Sequence, residues 1–113
     1  MAAAQIFNRR IPYAEGRFAQ IVVWQLPAPL AGSTHSYKYR LAYVVDEACV
    51  LRYDNEAGKG DHTHRGAIQA RYAFISLAQL LADFESDIER WNRENRNHEN
   101  HSYENRSYEN HSH

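Results

Sequence analysis

Tyr37-Lys38-Tyr39-Arg40-Leu41-Ala42-Tyr43-Val44-Val45, followed by Asp46-Glu47 and then by Ala48-Cys49-Val50-Leu51-Arg52-Tyr53, is the stretch that decides the fold. In its first half Tyr37, Tyr39, Leu41, Tyr43 and Val45 alternate with Lys38, Arg40, Ala42 and Val44. That is the period of two of a strand with one apolar face and one partly basic face. In its second half Cys49, Leu51 and Tyr53 alternate with Ala48, Val50 and Arg52. Asp46-Glu47 can make a tight turn, so the two runs predict an antiparallel hairpin. The pairing sets Arg40 and Arg52 on polar faces.

Before the hairpin, Phe18 to Leu26 is apolar on both faces and rich in β-branched and aromatic residues, which suits a buried strand ended by Pro27 and Pro29. A turn-rich loop leads on to Ser36. After the hairpin, Asp54 to Gly60 reads as a loop, and a short strand is predicted near Arg71 to Phe74. Ser76 with Gln79 three residues later is a capping signature, and Leu77, Leu80, Leu81, Phe84, Ile88 and Trp91 recur at helical spacing on one face. A helix from about Leu77 to Trp91 follows, with Asp83, Glu85, Asp87 and Glu89 as its solvated side. The predicted fold is α+β: a small antiparallel sheet of three to four strands packed by a C-terminal amphipathic helix.

From Glu94 the chain repeats every five residues, beginning Glu94-Asn95-Arg96-Asn97-His98 and ending Glu109-Asn110-His111-Ser112-His113. Five matches neither the 3.6 of a helix nor the 2 of a strand, and no aliphatic residue is present to bury. Residues 94–113 are therefore expected to be a disordered pentad-repeat tail, and residues 1–93 one α+β domain. Four histidines lie in the tail, and His-rich tracts can bind metal, but a repeat expansion without chemistry is the simpler account. The tail also explains a mean hydropathy of -0.73 in a chain that is 43% hydrophobic.

At 113 residues there is room for one core. Of the 13 basic and 14 acidic side chains, two arginines and four glutamates lie in the tail, so residues 1–93 carry 11 and 10, a formal charge of +1. So balanced a field gives no general attraction to nucleic acid; RNA contact would need a local basic patch. The single cysteine, Cys49, cannot form an internal disulfide and sits in an apolar stretch, where it reads as a small buried hydrophobe in a reducing compartment. With no signal-peptide pattern and no apolar run long enough to span a bilayer, the expectation is a cytoplasmic protein with no membrane partner.

The chemically unusual segment is Arg52 to Arg65, which gathers two histidines, two arginines, a lysine, a tyrosine and several carboxylates between glycines. Histidine suits proton transfer near neutral pH, and Lys or Arg can stabilise charge on a phosphate in the transition state. His62 and His64 are two apart, so in an extended segment both imidazoles point to one side and Asp61 and Thr63 to the other. One imidazole could take the proton of a ribose 2′-hydroxyl while the other protonates the leaving oxygen. His62, His64 and Asp61 are thus the candidate catalytic residues. Lys59 or Arg65 would hold phosphate, and Arg52, Arg40 and Tyr53 complete the candidate substrate-binding set. No cofactor is required, but the spacing of His62 and His64 equally suits a divalent metal, with Asp61 or Asp54 as a third ligand. A structural alternative is that Asp61 and the histidines form a hydrogen-bonded corner that closes the loop.

Tyr37-Lys38-Tyr39-Arg40-Leu41, Arg52-Tyr53-Asp54-Asn55-Glu56, Lys59-Gly60-Asp61-His62-Thr63-His64, Tyr72-Ala73-Phe74 and Leu80-Leu81-Ala82-Asp83-Phe84, in that order, resemble the TumE-type toxins of prokaryotic toxin–antitoxin modules. The resemblance covers roughly residues 14–90; several motifs in order make it more specific than any one of them, and the D-H-x-H element is the family's most recognisable piece. It implies a small cytoplasmic toxin encoded beside a helix-turn-helix antitoxin and acting on RNA; taken together with the composition of the Arg52–Arg65 segment, the first reading is the toxin component of a type II toxin–antitoxin system with ribonuclease activity. Two features depart from the family pattern: the pentad tail is foreign to it, and Thr63 stands where the residue between the histidines is often basic. A different reading of the same residues is a non-enzymatic regulatory or nucleic-acid- or protein-binding module, in which the interleaved Tyr and basic residues of Tyr37 to Tyr43 stack on bases and meet phosphates.

Overall fold

A computed structural model describes residues 2–107, with side chains as far as Asn95. Six strands follow one another in a single antiparallel sheet in chain order: β1 (Ala4–Ala14), β2 (Arg17–Gln25), β3 (Tyr37–Val45), β4 (Ala48–Glu56), β5 (Gly60–Arg65) and β6 (Ile68–Arg71). One helix, α1 (Leu77–Ser107), completes the fold. The α+β class, the hairpin and the packed helix match the expectation, but the sheet has six strands rather than three to four. β1 escaped notice because Asn8-Arg9-Arg10 interrupts any apolar alternation; as an edge strand it is exposed along almost its whole length and is held by backbone pairing to β2. The expected loop from Asp54 to Gly60 shrinks to a turn because β4 runs on to Glu56, and β5 carries no apolar signal because Gly60-Asp61-His62-Thr63-His64-Arg65 contains no aliphatic side chain. It is nevertheless paired on both sides, to β4 and to β6. The last strand ends at Arg71, where the expectation began it.

The β3–β4 hairpin turns through Asp46 and Glu47, both with positive φ (50° and 71°), as a two-residue turn whose twist matches the flanking strands. The Asp46 N–H donates to the Gly16 carbonyl (2.8 Å) and so ties this turn to the β1–β2 turn beside it. One irregularity resets β4: Tyr43 pairs with Leu51 but Val44 pairs with Cys49, which leaves Val50 as an extra residue. This β-bulge rotates Cys49 off the face of Leu51 and Tyr53, so the thiol is exposed rather than buried as the alternation implied.

The core lies between one face of the sheet and α1. Val23, Tyr39, Leu41, Tyr43, Leu51 and Tyr53 meet Leu80, Phe84 and Ile88, all nearly inaccessible to solvent, with Leu77, Leu81 and Trp91 packed at the border. The helix begins where the capping signature sets it: Ser76 Oγ accepts the Gln79 N–H at 3.0 Å. It continues to Ser107, past the expected end near Trp91, because no glycine or proline interrupts the first pentads. Residues 108–113 of the repeat lie outside the described residues. The acidic side of the helix also needs correction. Glu85 and Glu89 are solvated, but Asp87 is only 4% exposed and Asp83 accepts the Tyr72 hydroxyl (2.5 Å) and the Gln79 amide (2.7 Å). Among the described residues no helix is long and apolar enough to cross a membrane.

Candidate functional site

Pairing with β4 fixes which way each β5 side chain points. Tyr53 stands opposite Thr63, Leu51 opposite Arg65 and Asn55 opposite Asp61; directly paired residues share a face, and Tyr53, Leu51 and Thr63 are buried beneath α1. His62 and His64 therefore occupy the opposite, open face. Across the strands the register aligns Arg40, Asp54, His62 and Arg71 in one row and Ala42, Arg52, His64 and Gln69 in the next. The two imidazole centroids are 6.4 Å apart. Asp54 joins the rows: its Oδ2 is 3.1 Å from Arg52 Nε and its Oδ1 is 3.6 Å from His64 Nε2. Lys38, on the same face, reaches the Asn55 carbonyl through Nζ at 3.3 Å.

Asp61 belongs to the other side of the sheet. Its Oδ2 accepts the Tyr39 hydroxyl (2.7 Å) and lies 2.8 Å from His35 Nε2, while His35 Nδ1 accepts the Tyr37 N–H (3.2 Å). That pair of contacts assigns the ring proton to Nε2. Phe74 stacks on the His35 imidazole with centroids 3.8 Å apart. Burial, and after it the hydrogen bond to Asp61, hold the Tyr39 hydroxyl well above its ordinary pKa. A hydrogen-bonded corner at Asp61 thus exists, but its histidine is His35. No periodicity marks His35, and its partner is 26 residues away, so nothing local in the sequence announces it.

Arg65 and Tyr53 also face the helix. Arg65 pairs with Asp87 and donates to Thr63 Oγ1 (3.2 Å), and the Tyr53 hydroxyl donates to Asp87 Oδ2 (2.6 Å). Burial, then the bond to Asp87, raises the Tyr53 hydroxyl pKa. Lys59 projects from the β4–β5 turn, largely exposed, 3.6 Å from Glu56. Of the sequence-derived set, then, His62, His64, Arg52 and Arg40 come together; Asp61, Arg65 and Tyr53 support the opposite side, and Lys59 stands at the end of the sheet. Asp54, Arg71 and Lys38 join the open face by register. Among the described residues no group of three or more His, Cys, Asp or Glu side chains is arranged to hold a metal ion, and Asp61 points away from the two histidines.

The arrangement offers two imidazoles, one in reach of a carboxylate, inside a field of guanidinium and ammonium groups. No curated protein and no solved structure gives a significant match to the chain. The family model described as Toxin TumE does, over residues 4–92, a span that takes in all six strands, the open face and the packed part of α1. The chain belongs to the TumE family of toxins.

Proposed function

We propose that this chain is the toxin of a type II toxin–antitoxin module and that it cleaves RNA on the open face of its sheet. The observation that carries the reading is the row of Arg40, Asp54, His62 and Arg71 beside Arg52 and His64. RNA cleavage needs a proton acceptor for the 2′-hydroxyl, a proton donor for the leaving oxygen and cations for the phosphate. His64 is the base: Asp54 Oδ1 lies 3.6 Å from its Nε2, which leaves Nδ1 to take the 2′-proton. The 2′-oxygen then attacks phosphorus, His62 protonates the departing 5′-oxygen, and a 2′,3′-cyclic phosphate and a 5′-hydroxyl result. Arg40, Arg52 and Arg71 hold the phosphate. Asp61, Arg65 and Tyr53 act only through the fold, and Lys59 attracts the strand at long range. The antitoxin partner that the family implies is, on this reading, a helix-turn-helix protein, and the compartment is the cytoplasm.

The test is growth inhibition and RNA cleavage by wild type, His62→Ala and His64→Ala. General acid–base groups contribute about 100-fold to 10,000-fold in rate, so each variant should lose toxicity while melting as wild type does. Chelator separates an imidazole-only centre, which keeps its activity, from one in which His62 and His64 hold a divalent metal, which loses it. Two folded variants that remain fully toxic would sink the proposal.

A further inference from the structure

We infer that Trp24 is a stacking platform for an unpaired base, which makes the ligand of the open face single-stranded rather than duplex RNA; the inference rests on the RNA-cleaving reading and narrows its substrate class. Trp24 pairs with Lys38 across the β2–β3 ladder, and Val22, two residues along, pairs with Arg40. The indole therefore lies on the same face as His62 and His64, flanked by two cations. It is 37% exposed although β2 is an interior strand, because α1 covers the other face only. Val22, Trp24, Lys38 and Arg40 line a shallow cavity of about 250 Å³.

An exposed indole among basic side chains has the two elements of single-strand recognition, a π-face for a base and cations for the flanking phosphates. Bases in a duplex are already stacked on one another and present no free face to it. The tyrosines that the sequence interleaves with Lys38 and Arg40 are unavailable, since Tyr39 and Tyr43 are 2% and 0% exposed beneath the helix and Tyr37, half-buried on that same side, lies near His35 and Phe74. Stacking on this face falls to the neighbouring strand. Three strand spacings separate β2 from β5, about 14 Å, so the stacked base lies some nucleotides away from the phosphate held at His62 and His64.

The experiment measures binding of the full chain to a 12-nucleotide 2′-O-methyl RNA, which has no 2′-hydroxyl to attack with, and to the duplex of the same sequence. Wild type should prefer the single strand. Trp24→Ala should bind it roughly tenfold more weakly, about 1.4 kcal/mol, and Trp24→Phe should recover much of the loss. Indole fluorescence in wild type should be quenched by the single strand and the quench should vanish in Trp24→Phe, a readout that survives if the alanine variant misfolds; Trp91 packs against Tyr43 on the helix side and should not respond. If Trp24→Phe keeps the full quench, if folded Trp24→Ala binds the single strand as wild type does, or if wild type prefers the duplex, the platform is wrong while histidine-dependent cleavage stands. If wild type binds neither form, the RNA reading falls with it. A dimer that dissociates in Trp24→Ala would reassign the indole to self-association and overturn the inference.

Discussion

Asp87→Ala should be among the most damaging single changes on the helix, and its cost can be worked from the contacts. Asp87 is 4% exposed, accepts from the Tyr53 hydroxyl at 2.6 Å and the Arg65 guanidinium, and forms an ion pair with Arg90 at 3.3 Å. Arg90 is more than half exposed, so that pair contributes little, between roughly 0 and 1 kcal/mol. Tyr53 is 2% exposed, and its hydroxyl, left with only the Asp83 carbonyl at 3.4 Å, costs about 1–3 kcal/mol. Arg65 keeps 40% of its side-chain surface in water, so its loss is well below that of a fully buried ion pair and adds about 1 kcal/mol. The total is about 3 kcal/mol, a fall in Tm of about 15 °C for a folded unit of this size. Circular dichroism melts of wild type, Asp87→Ala, Tyr53→Phe and the double variant would measure it. Tyr53→Phe should cost about 1 kcal/mol alone and clearly less on top of Asp87→Ala, because the hydroxyl then keeps only its long contact to the Asp83 carbonyl (3.4 Å). An Asp87→Ala protein that melts within about 3 °C of wild type, or strict additivity in the double variant, would refute the reasoning.

Alkaline pH should destabilise the fold in a definite window. Tyr39, Tyr53 and Tyr72 have hydroxyl pKa values raised first by burial and then by the carboxylate each one donates to. The unfolded chain releases those protons near pH 10 while the folded chain retains them, so stability is complete below about pH 10 and declines as the pH climbs further, by at most about 1.4 kcal/mol per pH unit for each group. Urea midpoints that stay level between pH 9 and pH 11 would contradict this. Deleting the residues after Arg93 should lower Tm by less than about 5 °C, since the border of the packed helix face is reached at Trp91; a larger drop in calorimetry would mean that the pentads contribute to the folded unit.

What could be read from the sequence is what carries a period. Tyr37 to Val45 alternates cleanly and Leu77 to Trp91 repeats at helical spacing behind Ser76, so the hairpin, the helix and the core between them were legible. β5 was not, because every side chain in it is polar and its strand state comes from backbone pairing to two neighbours, which leaves no hydrophobic trace. Cys49 was misread because the bulge at Val50 shifts the phase by one, and composition does not announce a bulge. Asp87 was missed despite a signal in plain view. It stands seven residues after Leu80, three after Phe84 and four before Trp91, within the buried stripe, where a carboxylate must find partners. Those partners, Tyr53 and Arg65, come from the Arg52–Arg65 segment, so two of its polar residues are occupied in holding the helix.

Thr63 decides which face each side chain of β5 takes. Because side chains alternate along a strand, burying Thr63 between Tyr53 and Ala70 forces His62 and His64 out to the open face and turns Asp61 and Arg65 in. Asp61 is anchored by His35 and Tyr39 and Arg65 by Asp87, one on each side of Thr63, so a one-residue slip of β5 would break both sets of contacts at once. The two histidines are therefore held in phase by residues on the opposite side of the sheet. It follows that a basic residue at position 63 would not reach a phosphate on the open face. It would enter the buried side next to Arg65, and its charge would be balanced there, by Asp87 or Asp83, or not at all.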